Sequence, residues 1–122
     1  MRNTGPSARI RSIVTRRAER HGIAVCERCG IEPVQQIHHR RPRASGGSRM
    51  ADTNLPSNLL ALGNQCHADV ESHRADAYSH GWIVRQALVP REMPVLIWDR
   101  GYVVLDDIGG MTPALMDIGG AA

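Results

Sequence analysis

Residues 58–67 read Asn-Leu-Leu-Ala-Leu-Gly-Asn-Gln-Cys-His, and the reading of this run decides the fold. Leu59 to Leu62 is a short continuous apolar stretch, the signature of a buried strand. Gly63 interrupts it, and a helix is expected from about Asn64 to Ser79, stopping at Gly81. Cys66 and His67 therefore stand in the first turn of a helix that follows a strand directly. Upstream, Pro33 to Arg40 reads as a second strand that closes on His38-His39. Pro42 to Pro56, with Ser45, Gly46-Gly47, Ser48 and Asn54, is a loop long enough to be either functional or disordered, and we read it as functional.

Outward from this pair of strands lies Cys26-Glu27-Arg28-Cys29 with Gly30 behind it, the composition of a tight metal-binding turn. Three Cys cannot pair off completely, and a Cys-x-x-Cys spacing in a reducing compartment points to metal before disulfide. All three Cys and four of the six His lie between Cys26 and His73. A strand, loop, strand, helix order brings them together as two groups: Cys26, Cys29, His38 and His39, and then Asn58, Cys66, His67, Glu71 and His73. On the expected helix His67 and Glu71 are i and i+4, one turn apart on one face, which suits two ligands of one ion. His73 is rotated about 120° from His67 and lies about 10.5 Å along the axis from Cys66. Glu71 is therefore the better third ligand and His73 the alternative. Successive strand residues point to opposite faces, so His38 and His39 share one site only if the strand ends or bulges there, and Arg41-Pro42 supplies an end.

The flanks carry less chemistry. Ile10, Ile13, Val14 and Ala18 recur at helical spacing, predicting a helix from Ser7 to about Arg20 that stops at Gly22. Arg9, Arg16 and Arg20 then fall within about 40° of one another, a stripe suited to a phosphate backbone, while Arg17 projects into the apolar arc. Trp82 to Val84 reads as extended, and Val95 to Trp98 with Tyr102 to Leu105 reads as a hairpin. Asp-Ile-Gly-Gly recurs at 107–110 and 117–120, too short for a structural repeat, in a tail to which we assign no chemistry. The expected organisation is a basic N-terminal helix (1–23), a core (24–82), an extension with the hairpin (83–107) and a flexible tail (108–122).

At 122 residues the chain has the length of one small domain, which argues against an enzyme with separate substrate and cofactor lobes. With two Trp, two Tyr and no Phe its core depends on aliphatic residues, and a metal staple would help. Every basic residue is Arg. Residues 1–43 hold ten Arg against three Glu, a balance of +7, and the remainder five Arg against nine acids, −4. Such asymmetry suggests a polyanion-facing first half, with nucleic acid the commonest partner. No apolar run has the length of a membrane span or of a signal sequence, so the reading is a soluble, cytoplasmic protein.

Taken together, His38-His39 followed by Arg40-Arg41-Pro42-Arg43, Gly46-Gly47, Asn58-Leu59-Leu60-Ala61-Leu62, Cys66-His67 and the preceding Cys-x-x-Cys resemble the HNH endonucleases over about residues 24–82. With its Arg-rich N-terminus and C-terminal hairpin, the chain is similar to small HNH proteins encoded by phages of actinobacteria. The resemblance implies an α+β fold with a ββα-metal, treble-clef-like core and metal-dependent hydrolysis of DNA phosphodiester bonds by nicking or double-strand cleavage. It implies His38 and His67 as ligands of one catalytic ion and His39 as general base, with Asn58 pinning the loop and orienting His39. A neutral imidazole and a divalent cation suit this chemistry, activating water and offsetting charge on the phosphorane. Where a related subgroup has His, this chain has Glu71, whose harder carboxylate tilts the ion toward Mg²⁺ or Mn²⁺ over Zn²⁺ or Ni²⁺.

Family members with a zinc knuckle use two Cys-x-x-Cys pairs, whereas position 63 here is Gly. That leaves Cys26, Cys29 and Cys66 for a structural Zn²⁺ with His21, His73 or a water as fourth ligand, or else three buried cysteines and no zinc. Arg40, Arg41 and Arg43 beside the base, Arg74 about two turns beyond His67, and Arg9, Arg16 and Arg20 are the expected DNA contacts. Phage members commonly act with the terminase, which implies a large-terminase partner. The competing readings are a non-catalytic zinc-knuckle DNA-binding module and a degenerate nuclease. Asn58 with both His39 and His67 argues against the module, which has no need of a base.

Overall fold

The computed structural model describes residues 5–42 and 50–115, in which three helices and seven short strands form a mixed α+β fold. Helix α1 (Ala8–Arg17) begins where the Ser7 side chain accepts the Ile10 N–H at 3.2 Å, an N-cap that satisfies one of the first-turn donors. It ends short of the predicted Arg20. His21 and Gly22 both take positive φ, 55° and 80°, and make the two-residue turn of a hairpin between β1 (Glu19–Arg20) and β2 (Ile23–Ala24). Arg20 thus leaves the helical stripe, and Asp99 clasps its guanidinium at 2.6 and 3.0 Å. The expectation that Arg20 meets phosphate is corrected accordingly, whereas Arg9 and Arg16 stay exposed on α1.

Strand β3 (Gln36–His39) pairs antiparallel with β4 (Leu59–Leu62), placing His38 opposite Leu60 and His39 opposite Leu59. The predicted strand was longer; Pro33 instead makes a single bridge to Val25. All four residues of β4 are buried, as a continuous apolar run requires. Helices α2 (Asn64–Ser72) and α3 (Arg74–His80) replace the one helix expected over this region. The break falls at His73 (φ −123°, ψ 64°), whose N–H and ring Nδ1 both approach the Asp69 carbonyl, at 2.9 and 3.2 Å. The bend lets Ala77 reach the core.

Strands β5 (Val95–Ile97) and β6 (Gly101–Leu105) form the predicted hairpin, and β7 (Met111–Pro113) adds a third strand where the sequence predicts a flexible tail. The first Asp-Ile-Gly-Gly makes the connecting turn, where the Asp106 carboxylate accepts the N–H groups of Ile108 and Gly110 at 3.0 and 2.7 Å. The second copy, like Arg43 and Gly46-Gly47, lies outside the described residues. Trp82 to Val84 is buried but forms no strand; the Val84 N–H donates to the Arg40 carbonyl at 2.7 Å.

One apolar cluster joins Cys26, Leu60, Leu62, Cys66 and Val70 to Val95, Ile97, Val103 and Leu105, so the C-terminal sheet shares its core with β4 and α2. A second, under α1, holds Val14, Ala18, Leu59 and Ala61. No helix among the described residues is long and apolar enough to cross a membrane.

Charges reach deep into this small interior. Arg17, the misfit in the apolar arc of α1, makes a bidentate ion pair with Glu27 at 2.8 Å and donates to the Leu59 and Pro56 carbonyls at 2.6 and 3.0 Å. Arg40 is fully buried without an acidic partner; it donates to the carbonyls of Gly81, Ser57, Pro90 and Met93 at 2.8–3.1 Å, and burial brings its pKa down to about 9. Arg41 is also buried, bonded to the Leu88 carbonyl and to Asp52. The expectation that Arg40 and Arg41 contact DNA is therefore corrected. Their guanidiniums tie loops together, and a buried cation bonded to carbonyls and to a carboxylate within the fold is not presented to phosphate.

Candidate metal centres

Two groups of potential ligands meet at α2. The first comprises His38, His67 and Glu71, each offering one ligand atom, with all three atoms within 4.8 Å of one another. Strand alternation turns His38 inward, where it is 3% exposed. Its Nε2 lies 2.8 Å from the Trp82 carbonyl, which can only accept, so Nε2 carries the proton and Nδ1 the free lone pair. That Nδ1 stands 3.9 Å from Glu71 Oε2, and the His38 and His67 rings meet edge to face at 5.2 Å. Burial, chiefly, lowers the His38 pKa to about 4, which keeps the imidazole neutral as ligation requires. A histidine anchored through its far nitrogen to a carbonyl is the usual outer-shell support of a metal ligand. Two nitrogens and one carboxylate suit a divalent cation with positions left open for water or substrate.

Glu71 is 47% exposed and also accepts from Arg74 Nη1 at 3.0 Å. Arg74 opens α3 and so does not continue the face of His67 as expected, yet the pairing holds it at the edge of the cluster. His73, the alternative ligand, is exposed at the helix break and belongs to neither group.

His39, one residue on, is not among the ligands. Its Nε2 lies 2.8 Å from Asn54 Oδ1. Asn58 is fully buried and spends its amide elsewhere: Oδ1 accepts the Arg41 N–H at 2.7 Å, and Nδ2 donates to the Thr53 and Arg41 carbonyls at 2.9 and 3.4 Å. Asn58 thus ties the backbone at Arg41 to that at Thr53. The expected contact between Asn58 and His39 is corrected, since Asn54 makes it instead. No periodicity or motif singles out Asn54 in the sequence.

The second group is Cys26, Cys29, Cys66 and Glu32, again with one ligand atom each inside 4.8 Å. The turn after Cys26 is tight. The Gly30 N–H donates to the Cys26 carbonyl at 2.8 Å, and Gly30 takes φ 71° where a Cβ would lie 2.3 Å from the Trp98 indole. Cys29 Sγ accepts the N–H groups of Ile31 and Glu32 at 3.3 and 3.4 Å. Burial opposes its ionisation, but these donors outweigh that and bring its pKa below the usual thiol value. Burial pushes the Cys66 thiol up, even with Arg28 Nη1 donating to its sulfur at 3.1 Å. Arg28 is held in turn against the Trp82 ring, 4.4 Å from its centroid.

Glu32 is the residue that the sequence reading missed, and it replaces His21 and His73 as the fourth member of the cluster. Its carboxylate accepts the Gln65 and Cys66 N–H groups at 2.9 and 3.0 Å, capping α2, and the Gln65 N–H leads in holding its pKa below the usual carboxylate range. The clue lay at Gly63, where a Cβ would come within 2.3 Å of Glu32 Cβ and 2.4 Å of its carboxyl group. Glycine at 63 leaves that space to Glu32. Three sulfurs and a carboxylate oxygen at this separation are geometrically compatible with a metal ion such as zinc.

No family model matches the sequence, and neither the curated proteins nor the solved structures yield a match.

Proposed function

We propose that this protein is an HNH endonuclease with a ββα-metal core, hydrolysing DNA phosphodiester bonds with one divalent cation, Mg²⁺ or Mn²⁺, held by His38, His67 and Glu71. The observation that carries the reading is the His38 ring. It is buried, neutral, anchored by Nε2 to the Trp82 carbonyl, and aims Nδ1 at Glu71 beside His67. A core histidine used only for packing has no need of two potential ligands converging on its lone pair. The β3–β4 pair leading directly into α2 supports the core assignment. When bound, the cation would stabilise charge developing on the phosphate and orient it. His39, which ends β3 next to His38 and lies outside the ligand set, takes a proton from the attacking water. Asn58 holds the loop ends in register, and Arg74 at the rim with Arg9 and Arg16 on α1 offers guanidiniums to the phosphate backbone.

Cys26, Cys29, Cys66 and Glu32 hold a structural Zn²⁺ in this reading, which staples the 26–32 turn to the first turn of α2. The partner is DNA, with a phage terminase large subunit as the protein partner that the family resemblance implies, in the cytoplasm of a host cell. The test is cleavage of supercoiled plasmid by protein stripped of its loosely held cation, with Mg²⁺, Mn²⁺, Ni²⁺ or Zn²⁺ returned, beside His39→Ala prepared identically. Nicking that needs the cation and vanishes in the variant is the expected result. Folded wild-type protein that retards DNA but cuts it with none of these ions would replace the nuclease by a zinc-knuckle binding module.

A further inference from the structure

We propose that Asn54 is the positioning residue for the His39 imidazole, accepting its Nε2 proton and so presenting Nδ1 as the base; this rests on the nuclease reading. The two consecutive histidines are anchored alike and used differently. His38 gives its Nε2 proton to the Trp82 carbonyl and His39 gives its own to Asn54 Oδ1, each at 2.8 Å. An imidazole with Nε2–H committed to an acceptor must keep its lone pair on Nδ1, so each contact fixes a tautomer as well as a ring orientation.

Asn58 cannot do this work, because both of its amide atoms are engaged by Arg41 and Thr53. It acts one step back. Its Nδ2 holds the Thr53 carbonyl at 2.9 Å and therefore the peptide that leads into Asn54. The surrounding backbone is closed by turn bonds, Thr53 N–H to the Met50 carbonyl at 3.3 Å, Leu55 N–H to Asp52 at 3.2 Å and Asn58 N–H to Leu55 at 2.9 Å. A buried amide thus positions a turn, the turn positions Asn54, and Asn54 positions the base. In the reaction, water gives a proton to His39 Nδ1 and its oxygen bonds to phosphorus. The bond from phosphorus to the leaving sugar oxygen breaks with its electron pair, and that oxygen takes a proton from solvent.

The test combines cleavage kinetics with heteronuclear NMR of the imidazole nitrogens, on the full chain in Mg²⁺, for wild type, Asn54→Ala and Asn54→Asp. In wild type His39 should be protonated at Nε2 and bare at Nδ1. Asn54→Ala should show a mixture of tautomers and lose about 10- to 100-fold in kcat with little change in KM for DNA. Asn54→Asp, which keeps an acceptor oxygen, should restore the tautomer and most of kcat. A residue that merely supports the loop would change thermal stability and leave the tautomer alone. An unchanged tautomer and kcat in a folded Asn54→Ala protein, or a wild-type ring protonated at Nδ1, overturns the proposal. If wild type cuts no DNA with any cation, the nuclease reading fails and the assigned purpose of the contact with it, while the tautomer still reports whether Asn54 holds the ring.

Discussion

Cys66 and His67 are neighbours on one helix, yet they belong to two clusters of potential ligands that differ in donor type and in burial. The cysteine group is the more enclosed: Cys26 is fully buried and Cys66 is 3% exposed, while Cys29 and Glu32 are partly buried and already engaged by backbone N–H groups. The histidine group is open on one side, with His38 buried but Glu71 half exposed. A turn of about 100° between successive helical residues lets one helix face both ways. On the proposed reading the contrast is a division of labour, since saturated tetrahedral sites hold folds together and sites with open positions bind substrate. Each constellation can be broken separately, and the effect on stability should fall steeply from the first to the second.

The largest effect is expected at Cys26. If a zinc ion staples the turn to α2, Cys26→Ala forfeits its binding energy, on the order of 5 kcal/mol or more and comparable to the whole stability of a small domain. The variant should lack a cooperative thermal transition by circular dichroism. A chelator dose that strips only Mg²⁺ should leave the wild-type transition in place. A Cys26→Ala protein melting within a few degrees of wild type would erase the contrast.

Next comes the buried His38. Its folded pKa of about 4 lies below the ordinary value of about 6.5, so below that value the unfolded chain binds more protons. The contribution is therefore intact above about pH 6.5 and is lost as pH falls toward 4, on the order of 3 kcal/mol in all. Urea unfolding in Mg²⁺-free buffer from pH 7 to 5 should show more than half of this loss, and His38→Gln should flatten it. An identical pH slope in the two proteins would mean that the histidine is not held neutral by its surroundings.

Sequence periodicity reached some of this and not the rest, for identifiable reasons. Leu59 to Leu62, the start of α2 and the 95–105 hairpin were legible because apolar spacing is a local property. So was the convergence of His67 with Glu71, which needs only helical geometry. Arg40 and Arg41 misled because a run of basic residues reads as surface charge, while the carbonyls that satisfy them come from Ser57, Gly81, Leu88, Pro90 and Met93, distant in sequence. Arg20 misled in the same way, its partner Asp99 lying in the C-terminal hairpin turn. Glu32 was hidden by its type, since a search for Cys and His ligands passes over a glutamate three residues after Cys29. The break at His73 left no Pro or Gly as a marker.

A smaller effect sharpens the role of Glu32. Gly63→Ala drives a methyl group into the Glu32 side chain, and such overpacking costs about 1–3 kcal/mol. Glu32→Gly, which takes away the Cβ as well as the carboxyl group, relieves the clash but removes the helix cap and the fourth ligand. The double variant Gly63→Cys with Glu32→Gly should recover stability beyond the sum of the singles by supplying a thiolate in the vacated space. A double-mutant cycle in chemical denaturation measures the coupling, and additivity would show that the two positions do not compete for one volume.

The smallest stability effect and the sharpest functional one should coincide at Glu71. Its ion pair with Arg74 is surface-exposed on both sides, so Glu71→Ala should change unfolding free energy by less than about 0.5 kcal/mol. As a ligand of an open site, however, its carboxylate supplies the only formal negative charge among His38, His67 and Glu71, and without it hard cations lose their best donor. Calorimetric titration with Mn²⁺ should show affinity reduced by at least about ten-fold, the lower bound set by losses of outer-shell partners. Structural zinc content, measured on the same samples, should stay the same. Unchanged Mn²⁺ affinity in Glu71→Ala would remove the carboxylate from the site and return the preference for Mg²⁺ or Mn²⁺ to an open question of two histidines, a donor pair that suits zinc at least as well.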